Sequence, residues 1–533
     1  MDIQQSKKRQ DILNLCKDAE ACWATDPGRN LVLFFDGTGN IIGEKSDTNV
    51  VKLMRAVDKT DPRQLVYYDP GVGTANEFPG IDTLQRVRNK LSMLKGLALG
   101  SGSFENIAEG YRFLAENYQP GDRIYLFGFS RGAFTARAVG GMVNMYGLVN
   151  VGALPLLPAL VRTYFAGEAD TNQAGKTRID FASDIRDQFS HGRLPLIHFV
   201  GVWDTVETVG ISPLGKPVSI TNTPTIDTKR YAHVRHALAL HETRSKYAPR
   251  LYDHPAFSAA ELPHRSFEQR WFRGIHSDVG GSYAQAGLSD ITLAWMATEA
   301  GKHGLKLAKG LPRAKPDAAQ AMHDQTLASP FWAWTGLSVR TRSHKDTVDT
   351  SAQPLQAATP AQPMRRYAPT SFWTGVLLTL VVLAFAFTNG PFNDAACQRQ
   401  GAPYSLVLAQ LLSPFLASSG LACNTDLMAR AIRHDHGFLL AYGLWLAYPV
   451  AWAVRRRVAQ AVAAGKPLDA ITTRAHWFMW GLIGADLLEN ATTLAALGPQ
   501  IHTGWALLLA AFSAVKMLCI VLLLWVMARG LAR

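Results

Sequence analysis

The sequence predicts an α/β fold with a mostly parallel sheet over residues 30–300, then an all-α region that crosses a membrane several times. Two observations lead to this prediction. The first half of the 533-residue chain alternates short apolar runs with amphipathic stretches, as chains with alternating strands and helices do. From residue 371 onward the chain turns strongly apolar, in stretches long enough to span a bilayer.

Five apolar runs in the first half are typical of strands that end in polar or glycine-rich turns. They are LVLFFDGTGN at 31–40, RQLVYYDPGVGT at 63–74, RIYLFGF at 123–129, LPLIHFVGVWD at 194–204 and QRWFRGIHSDVGGSY at 269–283. FENIAEGYRFLAENY at 104–118 is predicted to be an amphipathic helix, because its apolar residues recur near helical spacing.

The ends of this predicted domain have a different composition. Residues 1–29 are a polar extension without the uninterrupted apolar core of a secretory signal, and Cys16 and Cys22 are expected to be free thiols. Residues 301–370 are rich in Ala, Pro, Lys and Gln, which predicts an extension and a flexible linker.

The net charge of +12 does not indicate a nucleic-acid partner, because no basic stripe with interleaved aromatic residues is present. Much of the basic excess flanks the apolar stretches instead, as in membrane proteins. No metal cluster is visible, and the glycine-rich GVGT and GSGSF lack the lysine and spacing of a phosphate-binding loop. We therefore expect no cofactor, no metal and no nucleic-acid partner.

The stretch GDRIYLFGFSRGAFTAR at 121–137 places Ser130 between Gly128 and Gly132, after an apolar strand and before a helix. A Gly-x-Ser-x-Gly at such a junction is typical of a nucleophile elbow, a strained turn that exposes the serine hydroxyl above the sheet. The strand before the pentapeptide and the helix after it make the signal stronger than the pentapeptide alone. Ser130 is the candidate nucleophile.

A serine nucleophile needs a histidine base, and the histidine needs an orienting acid. In α/β-hydrolases these residues follow the serine in the order acid, then histidine. Asp204 closes one predicted strand and His276 follows another, so both lie at the carboxyl edge of the sheet. Asp278 is a rival acid, but its position two residues from His276 favours a role in bracing that loop.

An oxyanion hole needs two backbone N–H groups. One is expected from Arg131, the residue after the nucleophile, and the other from an early strand-to-helix loop. The loop DGTGN offers the backbone of Gly37 and Thr38, with Asp36 shaping the turn. An ordinary tight turn is the alternative interpretation of this loop.

Five blocks, LFFDGTGN, YYDPGVGT, GDRIYLFGFSRGAFTAR, GVWDTV and GIHSDVGGSY, together resemble the signatures of a known family. It is the bacterial and fungal α/β-hydrolase family that contains the type VI secretion phospholipase effectors. The resemblance covers about residues 30–300 and implies an α/β-hydrolase fold, a serine esterase activity and a triad of Ser130, Asp204 and His276. One departure is His241, where the pattern leads us to expect an acid.

Five apolar stretches of the C-terminal part are candidate membrane spans, at 371–388, 404–421, 437–454, 475–498 and 504–528. The second is the weakest, since it contains Gln410 and Pro414. If it lies in an external loop, all the basic clusters that flank the spans share one side. We therefore predict four spans, with a cytoplasmic hydrolase domain and C-terminus.

This topology places Cys397 and Cys423 in one external loop, where an oxidising periplasm allows a disulfide; two unpaired cysteines are the alternative. In the last two predicted spans, Asp486 and Lys516 lie at similar distances from the connection between the helices. Opposite charges inside a membrane usually pair. We predict a structural Asp486–Lys516 pair, with Glu489 either sharing the pair or carrying a proton. A proton or ion pathway is the alternative.

The leading hypothesis is a multi-pass protein of the bacterial inner membrane whose serine hydrolase domain cleaves carboxylic esters of lipids, first of all phospholipids. Membrane lipids are the expected partners, while a secretion or immunity partner cannot be read from the sequence. Three alternatives stay open: an esterase for a soluble acyl substrate, a membrane sensor or transporter with a regulatory hydrolase domain, and a secreted antibacterial lipase effector.

Overall fold

The computed structural model describes residues 3–26, 28–37, 47–71, 101–166, 177–206, 225–308, 314–325, 332–352, 395–399, 402–405, 449–458, 468–495 and 503–531, with a few residues between these ranges. The chain divides into two compact units. The first contains Met1–Glu242, Tyr247–His323 and Arg340–Pro354, and the second contains Thr243–Lys246, Asp324–Val339 and Leu355–Arg533.

A seven-stranded parallel sheet is the centre of the first unit. Its strands are β1 (Asn30–Phe35), β2 (Gln64–Asp69), β3 (Arg123–Phe129), β4 (Ile197–Trp203), β5 (Tyr231–Ala239), β6 (Ser266–Phe272) and β7 (Thr347–Val348). They stand in the order β2-β1-β3-β4-β5-β6-β7, with every neighbouring pair parallel. The predicted α/β class with a parallel sheet is confirmed. Parallel pairing brings the carboxyl ends of the strands to one edge.

Helices cover both faces of this sheet. They are α1 (Ile3–Thr25), α2 (Asn49–Ala56), α3 (Ser101–Asn117), α4 (Arg131–Tyr146), α5 (Leu157–Tyr164), α6 (Arg178–Ile185), α7 (His276–Gly280) and α8 (Gly287–Lys302). Successive strand residues point to opposite faces, so Leu33 packs in the apolar layer under α3 and α4, and Phe34 packs in the layer under α2 and α8. Both layers are buried, which explains the continuous apolar runs of the strands.

The N-terminal extension contains a helix that packs on the first unit. Ile12 and Cys16 of α1 are buried beside Leu196 and Ala232. Trp23 Nε1 donates to the Gly121 carbonyl oxygen over 2.8 Å. The sequence predicts that the α/β domain begins at residue 30, but the N-terminal helix α1 is also part of the folded first unit.

The prediction of a flexible linker is wrong for the stretch 346–352. Thr347 and Val348 form β7 and pair with Arg270 and Trp271 of β6. The buried carboxylate of Asp346 accepts a hydrogen bond from Trp271 Nε1 over 2.9 Å. These contacts order a segment whose composition alone suggests a linker. The rest of the linker, residues 353–370, lies outside the described residues.

The second unit is not all-α as predicted. It contains an antiparallel sheet of three short strands, in the order β10-β8-β9. They are β8 (Ala395–Arg399), β9 (Ala402–Ser405) and β10 (Ala422–Cys423). Its helices are α9 (Trp332–Thr335), α10 (Ala470–Thr473), α11 (Ala475–Ala495) and α12 (Thr503–Leu531). The start of the weak candidate span at 404–421 thus belongs to β9, and residues 406–421 lie outside the described ones.

Among the described residues of the second unit, one helical stretch is long and apolar enough to cross a membrane, Leu507–Gly530 within α12. Its large apolar side chains are exposed, with Leu507 at 66% and Leu518 at 59%. Most of the predicted stretch 475–498 forms α11. Its mean hydropathy is below the value needed for a membrane span, which Leu507–Gly530 reaches. The stretches at 371–388 and 437–454 lie largely outside the described residues. A multi-pass region is therefore not shown, and four spans stay a prediction.

Candidate active site

Ser130 occupies a sharp turn between β3 and α4. Its backbone φ of 58° lies in the left-handed region, which costs a non-glycine residue energy. The flanking glycines permit this turn through close backbone approach. A Cβ on Gly128 would lie 2.4 Å from the Gly132 carbonyl oxygen, and a Cβ on Gly132 would lie 2.1 Å from the Phe35 carbonyl oxygen. No other residue type fits either position without a shift of the backbone.

Three predicted site residues form one hydrogen-bonded chain at the carboxyl edge of the sheet. Ser130 Oγ lies 2.8 Å from His276 Nε2, and His276 Nδ1 lies 2.5 Å from Asp204 Oδ2. Ser130 follows β3, Asp204 follows β4, and His276 opens α7 after β6. An ionised carboxylate can only accept, so His276 Nδ1 donates to Asp204 and Nε2 is left to accept the Ser130 hydroxyl proton.

Asp204 is completely buried and its carboxylate has several donors. Oδ1 accepts from the Ala239 N–H over 3.0 Å and from Arg340 Nη1 over 2.5 Å, and Oδ2 accepts from Arg340 Nη2 over 2.9 Å. Burial alone would raise the pKa of this carboxyl, but the Arg340 guanidinium and the His276 hydrogen bond hold its pKa well below the ordinary range. Asp204 is therefore an anion in the folded unit.

Sequence reasoning missed Arg340. It lies 136 residues after Asp204, within the range 301–370 that the composition assigns to an extension and a linker. No motif or periodicity marks this arginine in SVRTRSHKD. Only the return of the segment beside β6 brings its guanidinium to the acid.

Glu242 and two aromatic rings hold His276 in place. The His276 N–H donates to the buried Glu242 Oε2 over 3.2 Å. The rings of Phe129 and Tyr247 lie 4.6 Å and 4.8 Å from the imidazole, centroid to centroid. His241, where an acid was expected, accepts the Gly274 N–H through Nδ1 over 3.1 Å instead. The carboxylate beside His276 thus comes from the next residue along the chain.

Comparison with known proteins identifies the family. A sequence model described as the T6SS phospholipase effector Tle1-like catalytic domain matches residues 29–299, just over half of the chain. The chain belongs to this family. The matched range contains Ser130, Asp204 and His276, whereas Arg340 lies beyond its end.

A curated relative is uncharacterized protein YEL023C of Saccharomyces cerevisiae. It is 35% identical over 233 residues, which are 41% of this chain and 32% of the yeast protein. The chain thus spans about a third of the length of the curated relative that it matches.

Asp278, the rival acid, braces the family's histidine loop. Its Oδ2 accepts the N–H groups of Ile275 and His323 over 3.1 and 3.2 Å, and its Oδ1 lies 2.6 Å from His323 Nδ1. Burial raises the pKa of this carboxyl, and the bonds from His323 and Ile275 oppose that rise. The Tyr283 ring stacks on His323 at 3.8 Å. Asp278 has no hydrogen bond to His276 among the contacts of the described chain.

The predicted oxyanion groups are placed only in part. The N–H of Arg131 belongs to the first turn of α4, where backbone donors have no intrahelical acceptor. The Gly37 N–H donates to Asp36 Oδ1 over 2.7 Å. Asp36 Oδ2 also accepts from the Thr48 hydroxyl over 2.8 Å. Thr38 lies outside the described residues.

No set of three or more His, Cys, Asp or Glu side chains within the described ranges is arranged to hold a metal ion. The hydrogen-bonded chain of the site consists of a hydroxyl, an imidazole and a carboxylate.

In the second unit, the predicted charged residues lie together between α11 and α12. Lys516 Nζ lies 2.8 Å from Asp486 Oδ1 and 2.5 Å from Glu489 Oε2. The Ser513 hydroxyl donates to Glu489 Oε1 over 2.6 Å. Both carboxylates are buried. One cation and two carboxylates thus share a site inside an apolar helix pair.

The backbone register also brings the two cysteines of the predicted disulfide opposite each other. Cys397 of β8 pairs with Cys423 of β10. Directly opposed residues of antiparallel strands have Cα atoms about 4.5–5.5 Å apart, within the range that disulfides span. The disulfide itself stays a prediction.

Proposed function

We propose that this protein is a membrane-anchored serine hydrolase that cleaves the carboxylic ester bonds of phospholipids. The observation that carries the proposal is the chain of hydrogen bonds from Ser130 Oγ through His276 to Asp204. This chain lies in a domain that matches the Tle1-like phospholipase effector family. The same geometry serves any acyl ester, so the lipid substrate rests on the family and on the apolar helix α12.

In the proposed mechanism, Ser130 Oγ attacks the acyl carbonyl carbon while His276 Nε2 takes the hydroxyl proton. Asp204 accepts from Nδ1 and stabilises the imidazolium that forms. The N–H of Arg131 binds the oxyanion of the tetrahedral intermediate, with a second donor from the loop after β1. His276 then returns the proton to the leaving alcohol, which leaves an acyl-enzyme. A water molecule, deprotonated by His276, releases the fatty acid and restores Ser130.

The anchor explains how such an enzyme reaches its substrate. The exposed apolar surface of α12 is suited to lipid hydrocarbon, and residence in a bilayer raises the local concentration of lipid around the first unit. We propose the arrangement with four spans and a cytoplasmic hydrolase domain in a bacterial inner membrane. Fusion of a topology reporter after residues 370, 425, 465 and 500 tests it, since cytoplasmic signals are expected at the first and third sites.

The activity is tested with the full chain purified in detergent and a long-chain phospholipid in mixed micelles. Fatty-acid release is compared between the natural sequence, Ser130→Ala and the matched variant Ser6→Ala, which changes an exposed serine of α1. We expect release to vanish in Ser130→Ala alone. Equal release by Ser130→Ala would overturn the serine mechanism. Cleavage of short soluble esters without cleavage of phospholipid would assign a soluble acyl substrate instead.

A further inference from the structure

Arg340 makes four hydrogen bonds, and two of them end on the acid of the site. Its Nη1 and Nη2 groups contact Asp204 Oδ1 and Oδ2 over 2.5 and 2.9 Å. The same two groups donate to the Ala239 and Tyr247 carbonyl oxygens over 2.8 and 2.5 Å. This two-point contact fixes the plane of the carboxylate as well as its position. Arg340 is itself buried, with 8% of its surface exposed.

We propose that Arg340 is a positioning residue of the hydrolase site, which holds the Asp204 carboxylate ionised and aligned to bind His276. The inference rests on the proposed serine hydrolase function. It assigns a functional role to a residue that lies beyond the family's matched range, at 29–299.

The physical reason is the complete burial of Asp204. A buried carboxylate without a countercharge takes up a proton, and a protonated acid cannot stabilise an imidazolium. The charged and titratable groups around Asp204 are His276, Arg340 and His236, and Glu242 bonds to the His276 backbone. Burial lowers the pKa of His236 to about 3, so that imidazole is neutral. Arg340 is therefore the permanent cation of this set.

A second reason is geometric. Arg340 ties Asp204 to the carbonyl oxygen of Tyr247, and the ring of Tyr247 packs against His276. Without Arg340, the Asp204 carboxylate loses two hydrogen bonds. The backbone of Tyr247, whose ring packs against the His276 imidazole, loses one. A misplacement of about 1 Å at a reacting group costs on the order of 10²-fold in rate.

The test uses the full chain and three variants. Arg340→Met removes the cation, Arg340→Lys keeps the charge but loses the two-point contact, and Arg270→Met is the matched control. Arg270 contacts Asp349 over 3.5 Å, so it holds the same returning segment without touching Asp204. The measurements are kcat and KM from pH 5 to 9, the labelling rate of Ser130 by a fluorophosphonate, and thermal unfolding.

For Arg340→Met we expect kcat to fall by on the order of 10²-fold with little change in KM. The acid limb of its pH profile should move to higher pH, because Asp204 without its cation keeps a proton to higher pH. Arg340→Lys should lower kcat but keep the acid limb in place. Arg270→Met should match the natural sequence in both respects.

A double-variant cycle separates positioning from mere stabilisation. If Arg340 acts through Asp204, Arg340→Met should cost far less activity when Asp204→Asn is already present. Equal losses in both backgrounds would overturn the proposal. So would an unshifted acid limb in a folded Arg340→Met protein. If Arg340→Met does not fold, an Arg340→Lys profile identical to that of the natural sequence in kcat and pH overturns it too.

The two proposals fail in different ways. A natural sequence that neither hydrolyses lipid nor reacts with the fluorophosphonate contradicts the proposed function. An active natural sequence with fully active Arg340 variants contradicts only the role of Arg340.

Discussion

Gly132 lies against the carbonyl oxygen of Phe35 so closely that a Cβ would sit 2.1 Å from it. Phe35 ends β1 and Gly132 lies in the first turn of α4, so this contact locks the nucleophile turn to the neighbouring strand. The end of β1 is therefore held at a fixed distance from Ser130.

Gly132→Ala should destabilise the first unit by on the order of 3 kcal/mol, because the added methyl overlaps backbone that cannot move freely. Lipid hydrolysis should be lost with it. Thermal unfolding and fatty-acid release measure the two effects. Gly301→Ala is the matched control, since a Cβ there meets nothing within 4 Å and should leave both values unchanged or raise stability slightly. Equal stability of the two variants would refute the contact.

Three histidines at the opposite edge of the sheet should make the first unit sensitive to acid. His233 stacks on His303 at 3.5 Å, and His198 lies 5.3 Å from His233. Burial is the main cause that lowers the pKa of His198 to about 3 and of His233 to about 2. In the unfolded chain these histidines take up protons near pH 6.5, whereas in the folded unit they stay neutral. Their contribution to the free energy of unfolding is therefore fully present above pH 6.5 and is lost as the pH falls below it.

For each buried neutral histidine the loss is about 1.4 kcal/mol per pH unit below about 6.5. Denaturant unfolding between pH 7.5 and 5, followed by tryptophan fluorescence, measures it. His198→Gln removes one titrating group, so its stability should depend less steeply on pH. His344→Gln, at an exposed position, should keep the natural slope. A slope shared by all three proteins would contradict this account.

Lys516→Met should lower the amount of protein in the membrane, because it leaves the buried Asp486 and Glu489 without their cation. Quantitative blotting of membrane fractions measures the loss. The triple variant with Asp486→Asn, Glu489→Gln and Lys516→Met removes all three charges and should recover most of the level. Unchanged levels in Lys516→Met would leave a structural pair without support and favour the ion-pathway interpretation.

Cys397 and Cys423 should be protected from alkylation in native membranes until a reductant is added. Their opposed register in β8 and β10 allows the bond, and the predicted location in an external loop supplies oxidising conditions. Mass spectrometry of alkylated peptides reads the state of each thiol. The exposed Cys22 is the internal control and should react without reductant. Free thiols at both positions would exclude the disulfide.

The hydrogen-bonded chain of the site could be predicted because its signals are local. Ser130, Asp204 and His276 each follow an apolar run, and parallel strands place such positions at one edge. Arg340 could not be found in this way. Its contact with Asp204 depends on how a segment of linker-like composition returns to the sheet, and β7 has only two residues to signal that return.

In the C-terminal region, long apolar stretches could be predicted from the sequence and short strands could not. Hydropathy identifies apolar stretches, and the spacing of Asp486 and Lys516 from the helix connection anticipated their contact. The short strands β8 to β10 escaped prediction, because two to five residues carry too little periodicity to be distinguished from loops.

Four residues other than glycine have a positive φ in the part of the chain that the structure describes, and Ser130 and Asp204 are two of them, at 58° and 39°. Two of the three side chains in the hydrogen-bonded chain of the site thus stand at strained backbone positions. Selection for stability alone would replace these residues with glycine, and a decayed member of the family could gain a more robust fold as it loses its chemistry.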